Sequence, residues 1–243
     1  MQLSGNTVLI TGGSSGIGLA LTERFLAAGN QVIITGRREG LLEDVRRRFP
    51  AVITQVSDSG SAADRAQLVA ELTQRVPGLN VVINNAGIQR KVDLLRSEPW
   101  DDTRQEISIN LEGPIHMASL LVPHLLKQAR PVLINVSSGL AFVPLTAVPV
   151  YSATKAALHS FTLSLRHQLR KTPVTVVEII PPAVRSNLGG AHDFGVPTDE
   201  YADSVMQQLG EGRIEVTYQF SAKASLASRA EADEMFKRLN GAD

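Results

Sequence analysis

NTVLITGGSSGIGLALTERFLAAGNQVIIT, residues 6–35, decides the fold. Asn6 to Ile10 is a short apolar, β-branched run, which reads as a strand. Thr11-Gly-Gly-Ser-Ser-Gly-Ile-Gly18 follows at once, and Ile17, Ala20, Leu21, Phe25 and Ala28 recur at helical spacing before Gly29. Gln31 to Thr35 is the next strand. Strand, glycine-rich turn, helix and strand make a βαβ unit, because two parallel strands need a crossover helix. Glycines let a backbone approach a pyrophosphate, and free amides at a helix start carry partial positive charge. Glycines alone also make plain tight turns; the strand–helix context raises this reading. The spacing is TGxxxGxG rather than GxGxxG.

The same alternation continues along the chain. Ala51 to Val56, Leu79 to Ile83, Pro131 to Val136 and Val174 to Ile180 read as further strands, and Ile214 to Tyr218 as an alternating edge strand. Between them, Ala62 to Val76 is helical, with Asp58 the expected N-cap. Pro99 to Gln128 is a long helical region. Its apolar face runs through Ile107, Leu111, Ile115, Ala118, Leu121, Val122 and Leu125, with Trp100 expected as a packing anchor. Pro114 and Pro123 are expected to bend or interrupt it. Ser152 to Arg170 carries a small-residue surface (Ala153, Ala156, Ala157, Ser160, Ser164) suited to close packing, which points to a homo-oligomer, a dimer or tetramer. Thr198 to Leu209 and Ser228 to Leu239 are the last helices. Residues 188–198, LGGAHDFGVPT, read equally as a lid over a site or as a disordered loop. The expectation is one α/β domain over residues 1–243, with a substrate loop around 186–210. Its architecture is a Rossmann-like, doubly wound parallel sheet of about seven strands with helices on both faces.

Composition narrows the classes. The 243 residues suffice for one large core, and 24 acidic residues balance 24 basic ones, so nothing electrostatic argues for nucleic acid or an anionic membrane. There is no cysteine and hence no disulfide framework. The longest apolar stretch, near Met117 to Leu126, holds Pro123 and His124 and is too short to span a bilayer. With no signal peptide after Met1, a cytoplasmic protein is expected. The five histidines show no metal spacing, so no metal is expected. His159 and His167 read as surface residues, and His192 as the one histidine near a substrate.

The chemistry concentrates in NVSSGLAFVPLTAVPVYSATK, residues 135–155. If Tyr151 opens a helix, Tyr151 and Lys155 share one face, a turn apart. A phenol titrates near 10, and a neighbouring cation is expected to lower that value and make a general acid/base. Ser137 and Ser138 end the preceding strand, where open α/β sheets bind ligands, and a serine hydroxyl there would hydrogen-bond the oxygen that Tyr151 protonates. The alternative is an ordinary amphipathic helix with a half-buried tyrosine and a surface lysine. After the second strand comes Gly36-Arg37-Arg38, where an acidic residue would hold a ribose 2′-hydroxyl. Its absence, with an arginine suited to a 2′-phosphate, favours NADP(H) over NAD(H), Arg37 ahead of Arg38; otherwise both are solvated loop charges. Asn84-Asn-Ala-Gly87 leaves room for a cofactor or is a simple turn, and Asn110, inside an apolar helix face, needs a hydrogen-bond partner.

These motifs together resemble the short-chain dehydrogenase/reductase family. TGGSSGIG at 11–18, NNAG at 84–87, Ser138 and YSATK at 151–155 stand in family order, and the resemblance runs from about Asn6 to Leu188. It implies that Tyr151 gives or takes the hydroxyl proton while hydride moves to or from the nicotinamide. It implies that Lys155 lowers the tyrosine pKa and holds the nicotinamide ribose, and that Ser138 steadies the carbonyl oxygen. Asn110 would kink its helix so that a water links Lys155 to solvent. Gly12, Ser14, Ser15, Ile17, Asn84, Ala86 and Gly87 would line the cofactor, with Val184 and Ser186 near the carboxamide. Two departures stand out: Pro181-Pro182 replaces the family's usual Pro-Gly, and Gln55 replaces an acidic residue expected near the adenine. The Pro-Pro turn and the C-terminal segment resemble a bacterial subgroup, oxidoreductases of the lipoteichoic-acid D-alanylation operon.

The implied activity is NADP(H)-dependent interconversion of a carbonyl, ketone or aldehyde, with an alcohol. The apolar 140–150 segment suits an apolar small-molecule substrate. A nucleotide-sensing protein that keeps the fold without turnover is the rival from another class. It needs only the glycine-rich half and not the Ser138, Tyr151 and Lys155 set.

Overall fold

The structure is a computed structural model and describes residues 1–96, 99–190 and 194–241. Seven strands form one sheet: β1 (Thr7–Thr11), β2 (Gln31–Gly36), β3 (Ile53–Val56), β4 (Val81–Asn84), β5 (Val132–Val136), β6 (Thr175–Ile180) and β7 (Glu215–Thr217). Their order is β3-β2-β1-β4-β5-β6-β7, and every neighbouring pair is parallel. The order reverses between β1 and β4, so the crevice at their C-terminal ends is the expected ligand position.

The strands are apolar on both sides because helices cover both faces. On one face Val8, Ile10, Val32, Ile34, Ile83 and Ile134 meet α1 (Gly16–Ala27), α2 (Glu39–Arg48) and α7 (Thr198–Gly210) through Leu21, Phe25, Leu42, Val45, Val205 and Leu209. On the other, Leu9, Ile33, Val82 and Leu133 meet α3 (Ala62–Arg75), α5 (Gly113–Leu125) and α6 (Pro149–Leu169) through Leu68, Leu72, Leu121, Leu125 and Leu165. Two further helices, α8 (Phe220–Ala224) and α9 (Arg229–Asn240), close the chain; Ser228 and Glu231 form a capping box at the start of α9. Among the described residues no helix is long and apolar enough to cross a membrane.

Several expectations are corrected. Ser61, not Asp58, caps α3: its side chain accepts from the Asp64 amide, while Asp58 closes its own turn by accepting from the Gly60 amide at 2.8 Å. Trp100 opens α4 (Trp100–Ile107) at 66% exposure, so it is not the packing anchor expected of it. Pro123 does not break α5, which runs on to Leu125, so the missing donor falls in the last turn. Residues 198–209, expected as a helix although also counted in the substrate loop around 186–210, lie in helix α7, with Tyr201, Val205 and Leu209 buried in the core. On α6 the small-residue surface is exposed at Ala153, Ala156, Ser160 and Ser164.

Candidate active site

Strand β5 delivers the first group. It is buried along its length and stays paired to β6 beyond its end, with the Ser137 amide donating to Ile179 and the Gly139 amide to Pro181. The chain then tightens into a 3₁₀ turn, Gly139–Ala141, whose N-cap is Ser138; its hydroxyl oxygen accepts from the Leu140 amide at 3.1 Å. Helix α6 delivers the second group. Pro149 in its first turn needs no donor there, and Tyr151 and Lys155 follow one turn apart on the buried face. Tyr151 is 5%, Lys155 3% and Ser138 7% exposed. The Lys155 ammonium donates to the Val136 carbonyl at 2.8 Å and lies 5.5 Å from the Tyr151 ring centroid.

The electrostatics differ from the expectation that Lys155 lowers the tyrosine pKa. Burial pushes the Tyr151 phenol up to about 12, against the downward pull of its hydrogen bond with Ser138. The same burial drives Lys155 down to about 8, with Glu178 and Glu106 pulling it upward. For each group desolvation outweighs the neighbours that oppose it, Ser138 for the phenol and the two glutamates for the ammonium.

Asn110 is fully buried and sits in a π-helical turn, Ser108–Glu112, between α4 and α5. Pro114 has no N–H to offer the Asn110 carbonyl, so the ordinary α-helical ladder cannot pass through this point. The side chain clamps the loop after β4: its amide nitrogen donates to the Ile88 carbonyl at 2.8 Å, and its oxygen accepts from the Ile88 amide at 2.9 Å. It also donates to Thr154 Oγ1 at 3.3 Å, which joins the clamp to α6. A β-carbon at Gly87 would lie 3.3 Å from Asn110 Oδ1 and 3.7 Å from Lys155 Nζ, so these groups converge on the backbone at Gly87.

The glycine-rich turn lies on the same edge of the sheet. Gly12 has φ +67°, and both its amide and that of Gly13 donate to the Thr35 carbonyl, at 2.9 and 3.2 Å. Asn85 braces the turn by donating to the Thr11 and Gly12 carbonyls, while Thr11 Oγ1 accepts the Asn85 and Ala86 amides. Ser15 is the N-cap of α1 without a side-chain cap, and no acidic side chain sits in the first turn. The helix start thus keeps its amides for an anion, with the backbone held close by glycines; this cradle fits the pyrophosphate of a dinucleotide. Ser186 comes within 3.3 Å of where a Gly16 β-carbon would stand, so the loop after β6 closes over the turn, and buried Val184 is held by a parallel bridge to Val196. Ser14 is buried and Ile17 half-buried beside the turn. Arg38 reaches Ser15 Oγ at 3.4 Å, and Arg37 approaches Asp58 at 3.9 Å. Gln55 donates to Glu71 at 3.3 Å, and Asn84 donates to Asn135 at 2.9 Å, leaving its own buried oxygen unpartnered.

Two further titratable groups, Glu106 and Glu178, have no part in the sequence reading, and a third, His159, is read there as a surface residue. Glu106, one turn before Asn110, is buried with one oxygen unpartnered, and burial raises its pKa. Glu178 is 0% exposed in the middle of β6. His159, expected at the surface, is half-buried and places Nδ1 2.9 Å from Glu178 Oε2. A charged residue inside the otherwise apolar TVVEII was the one legible signal. His192 lies outside the described residues.

The family model for the short chain dehydrogenase matches residues 6–193. The chain is 42% identical over 99% of its length to the uncharacterized oxidoreductase DltE of Bacillus subtilis (strain 168), and covers 98% of that protein. Among solved structures, a short chain dehydrogenase from Burkholderia cenocepacia J2315 in complex with NADP superposes with a TM-score of 0.86 at 26% identity, covering 98% of this chain and 99% of that one. A short chain dehydrogenase/reductase from Burkholderia phymatum in complex with NAD shares the fold with a TM-score of 0.82 at 20% identity, over 97% and 96% of the two chains. The strand–turn–helix cradle and the matched sequence carry one conclusion: the chain belongs to the short-chain dehydrogenase/reductase family of oxidoreductases.

Proposed function

We propose that the chain is an NADP(H)-dependent oxidoreductase that interconverts an apolar carbonyl compound and its alcohol, with Tyr151 as general acid and base. The observation that carries this reading is the meeting of Ser138, Tyr151 and Lys155 at the C-terminal end of β5, on the same sheet edge as the glycine-rich turn. The bound nicotinamide supplies or accepts the hydride. In reduction Tyr151 gives its hydroxyl proton to the carbonyl oxygen; in oxidation it takes the proton from the alcohol. A phenol at about 12 keeps its proton at neutral pH, so the resting protein holds Tyr151 in its acid form. Ser138, fixed on its turn, donates to the same oxygen. Lys155 is held by Val136, offers its other N–H groups to a ribose hydroxyl and offsets charge on Tyr151 as the proton leaves.

The cradle of Gly12, Ser14, Ser15 and Ile17 would hold the pyrophosphate, with Asn84, Ala86, Gly87, Val184 and Ser186 toward the nicotinamide and Gln55 toward the adenine. Arg37 and Arg38, with no acidic side chain at Gly36, favour a 2′-phosphate and hence NADP(H) over NAD(H). Half-buried Leu140, Phe142, Leu145 and Val150 support the apolar substrate, because Val143 and Val148 of the same segment are spent in the core. The loop before α7 would cover that pocket.

The test pairs turnover with binding. NADPH is titrated by nicotinamide fluorescence, and a panel of apolar ketones and aldehydes is assayed with wild type and Tyr151→Phe. The expected result is a fall in turnover of about 10²–10⁴-fold with cofactor affinity kept within a few-fold. Unchanged turnover in Tyr151→Phe sinks the mechanism. Cofactor binding by wild type without turnover of any carbonyl or alcohol supports the sensor reading instead.

A further inference from the structure

Strand β6 reads Thr-Val-Val-Glu-Ile-Ile, and Glu178 is its one charged residue, completely buried. A carboxylate is expensive to bury unless its oxygens are held. Both are held here: Ser137 Oγ donates to Oε1, and His159 Nδ1 lies 3.1 Å from Oε1 and 2.9 Å from Oε2. These two partners bracket Lys155. Ser137 follows Val136, whose carbonyl accepts the Lys155 ammonium, and precedes Ser138. Tyr151, Lys155 and His159 succeed one another at single-turn spacing along one face of α6. One buried carboxylate therefore grips the end of β5 and the turn of α6 next to Lys155.

We propose that Glu178, with His159 as its ionic partner, is a positioning residue of this active site: the counter-charge that holds Lys155 as an ammonium. The meaning of that ammonium for turnover rests on the function proposed above; its existence does not. Among the described residues Glu178 on β6 and Glu106 on α4 act on Lys155 by charge, and Tyr151 and His159 stand one turn to either side of it on α6. Among the coulombic influences on Lys155, Glu178 comes before Glu106. His159 in turn feels Glu178, Glu215 and Arg166. Ring contact with Phe142, at 4.6 Å between centroids, ties His159 to the 140–150 segment.

The signs of two substitutions separate this role from simple packing. Glu178→Gln removes the counter-charge, so Lys155 loses its proton at lower pH. The amide keeps the shape and can still accept from Ser137 and donate to a neutral His159. His159→Gln removes the positive charge that a protonated His159 sets against Glu178, so Lys155 keeps its proton to higher pH. Lysine side-chain NMR of the ¹³C-labelled full chain reads this directly, with the Lys155 signal assigned through Lys155→Met. The titration needs neither cofactor nor substrate, so a failure of the carbonyl-reductase reading would leave its result standing. The expected outcome is a midpoint lower by about one pH unit in Glu178→Gln and a smaller upward shift in His159→Gln. An unchanged midpoint, or shifts of the same sign in both, overturns the proposal. If Glu178→Gln does not fold, the direction of the shift in His159→Gln decides.

Discussion

Replacing Asn110 by alanine tests how the π-helical turn and the loop after β4 are held. The side chain makes three hydrogen bonds, at 2.8 and 2.9 Å to the two backbone groups of Ile88 and at 3.3 Å to Thr154, from a position with 0% exposure. At a net worth of about 1 kcal/mol each, their loss destabilises the fold by about 3 kcal/mol. For a chain of this size each kcal/mol lowers the melting temperature by about 2–4 °C, so Asn110→Ala should melt about 6–12 °C below wild type. The assay is thermal unfolding followed by circular dichroism at one protein concentration, with NADPH absent. Because the clamp also shapes the space between Gly87 and Lys155, turnover should fall more than the folded fraction does. A melting point within about 2 °C of wild type would refute the reasoning. It would mean that Pro114 alone sets the turn and that water replaces the amide at no cost.

Arg37→Asp with Arg38→Asp should weaken NADPH binding by about 10–100-fold, the worth of one or two charge-assisted hydrogen bonds, while NADH binding changes by a few-fold at most. Equal loss for both cofactors would show that the arginines are loop charges. The pairing with Glu178 raises the His159 pKa above its ordinary 6.5. The folded state therefore binds more protons than the unfolded one over the interval above that value. The stabilisation is fully present below about pH 6.5 and is lost as pH rises through the folded pKa. Denaturant titrations from mildly acidic to mildly alkaline pH should show that decline in wild type and not in His159→Gln; parallel curves would count against a charged His159.

Much of the fold was readable because periodicity and glycine placement are local properties. The apolar runs at Thr7–Thr11, Gln31–Gly36 and Val132–Val136 need no partner to be recognised, and all fall within a residue or two of where they were expected. Boundaries slipped where a side chain chose among local partners, as when Ser61 took the cap from Asp58. Trp100 was misread because size argues for burial only where another element is there to cover it.

By itself the sequence determined the parallel α/β architecture, the glycine-rich turn that opens α1, and the one-turn spacing of Tyr151 and Lys155, since each is written within a few consecutive residues. The tertiary structure decided which charges share the site. Glu106, Glu178 and His159 come from two helices and a strand distant in sequence, and only folding removes them from water together. Burial then sets the titration of the Tyr151–Lys155 pair beside them: it carries Tyr151 up to about 12 and Lys155 down to about 8, against the direction the Tyr–Lys spacing alone predicts for the phenol. The reason is physical. The cost of desolvating a charge depends on everything packed around it, and that environment is a property of the assembled core rather than of any stretch of chain.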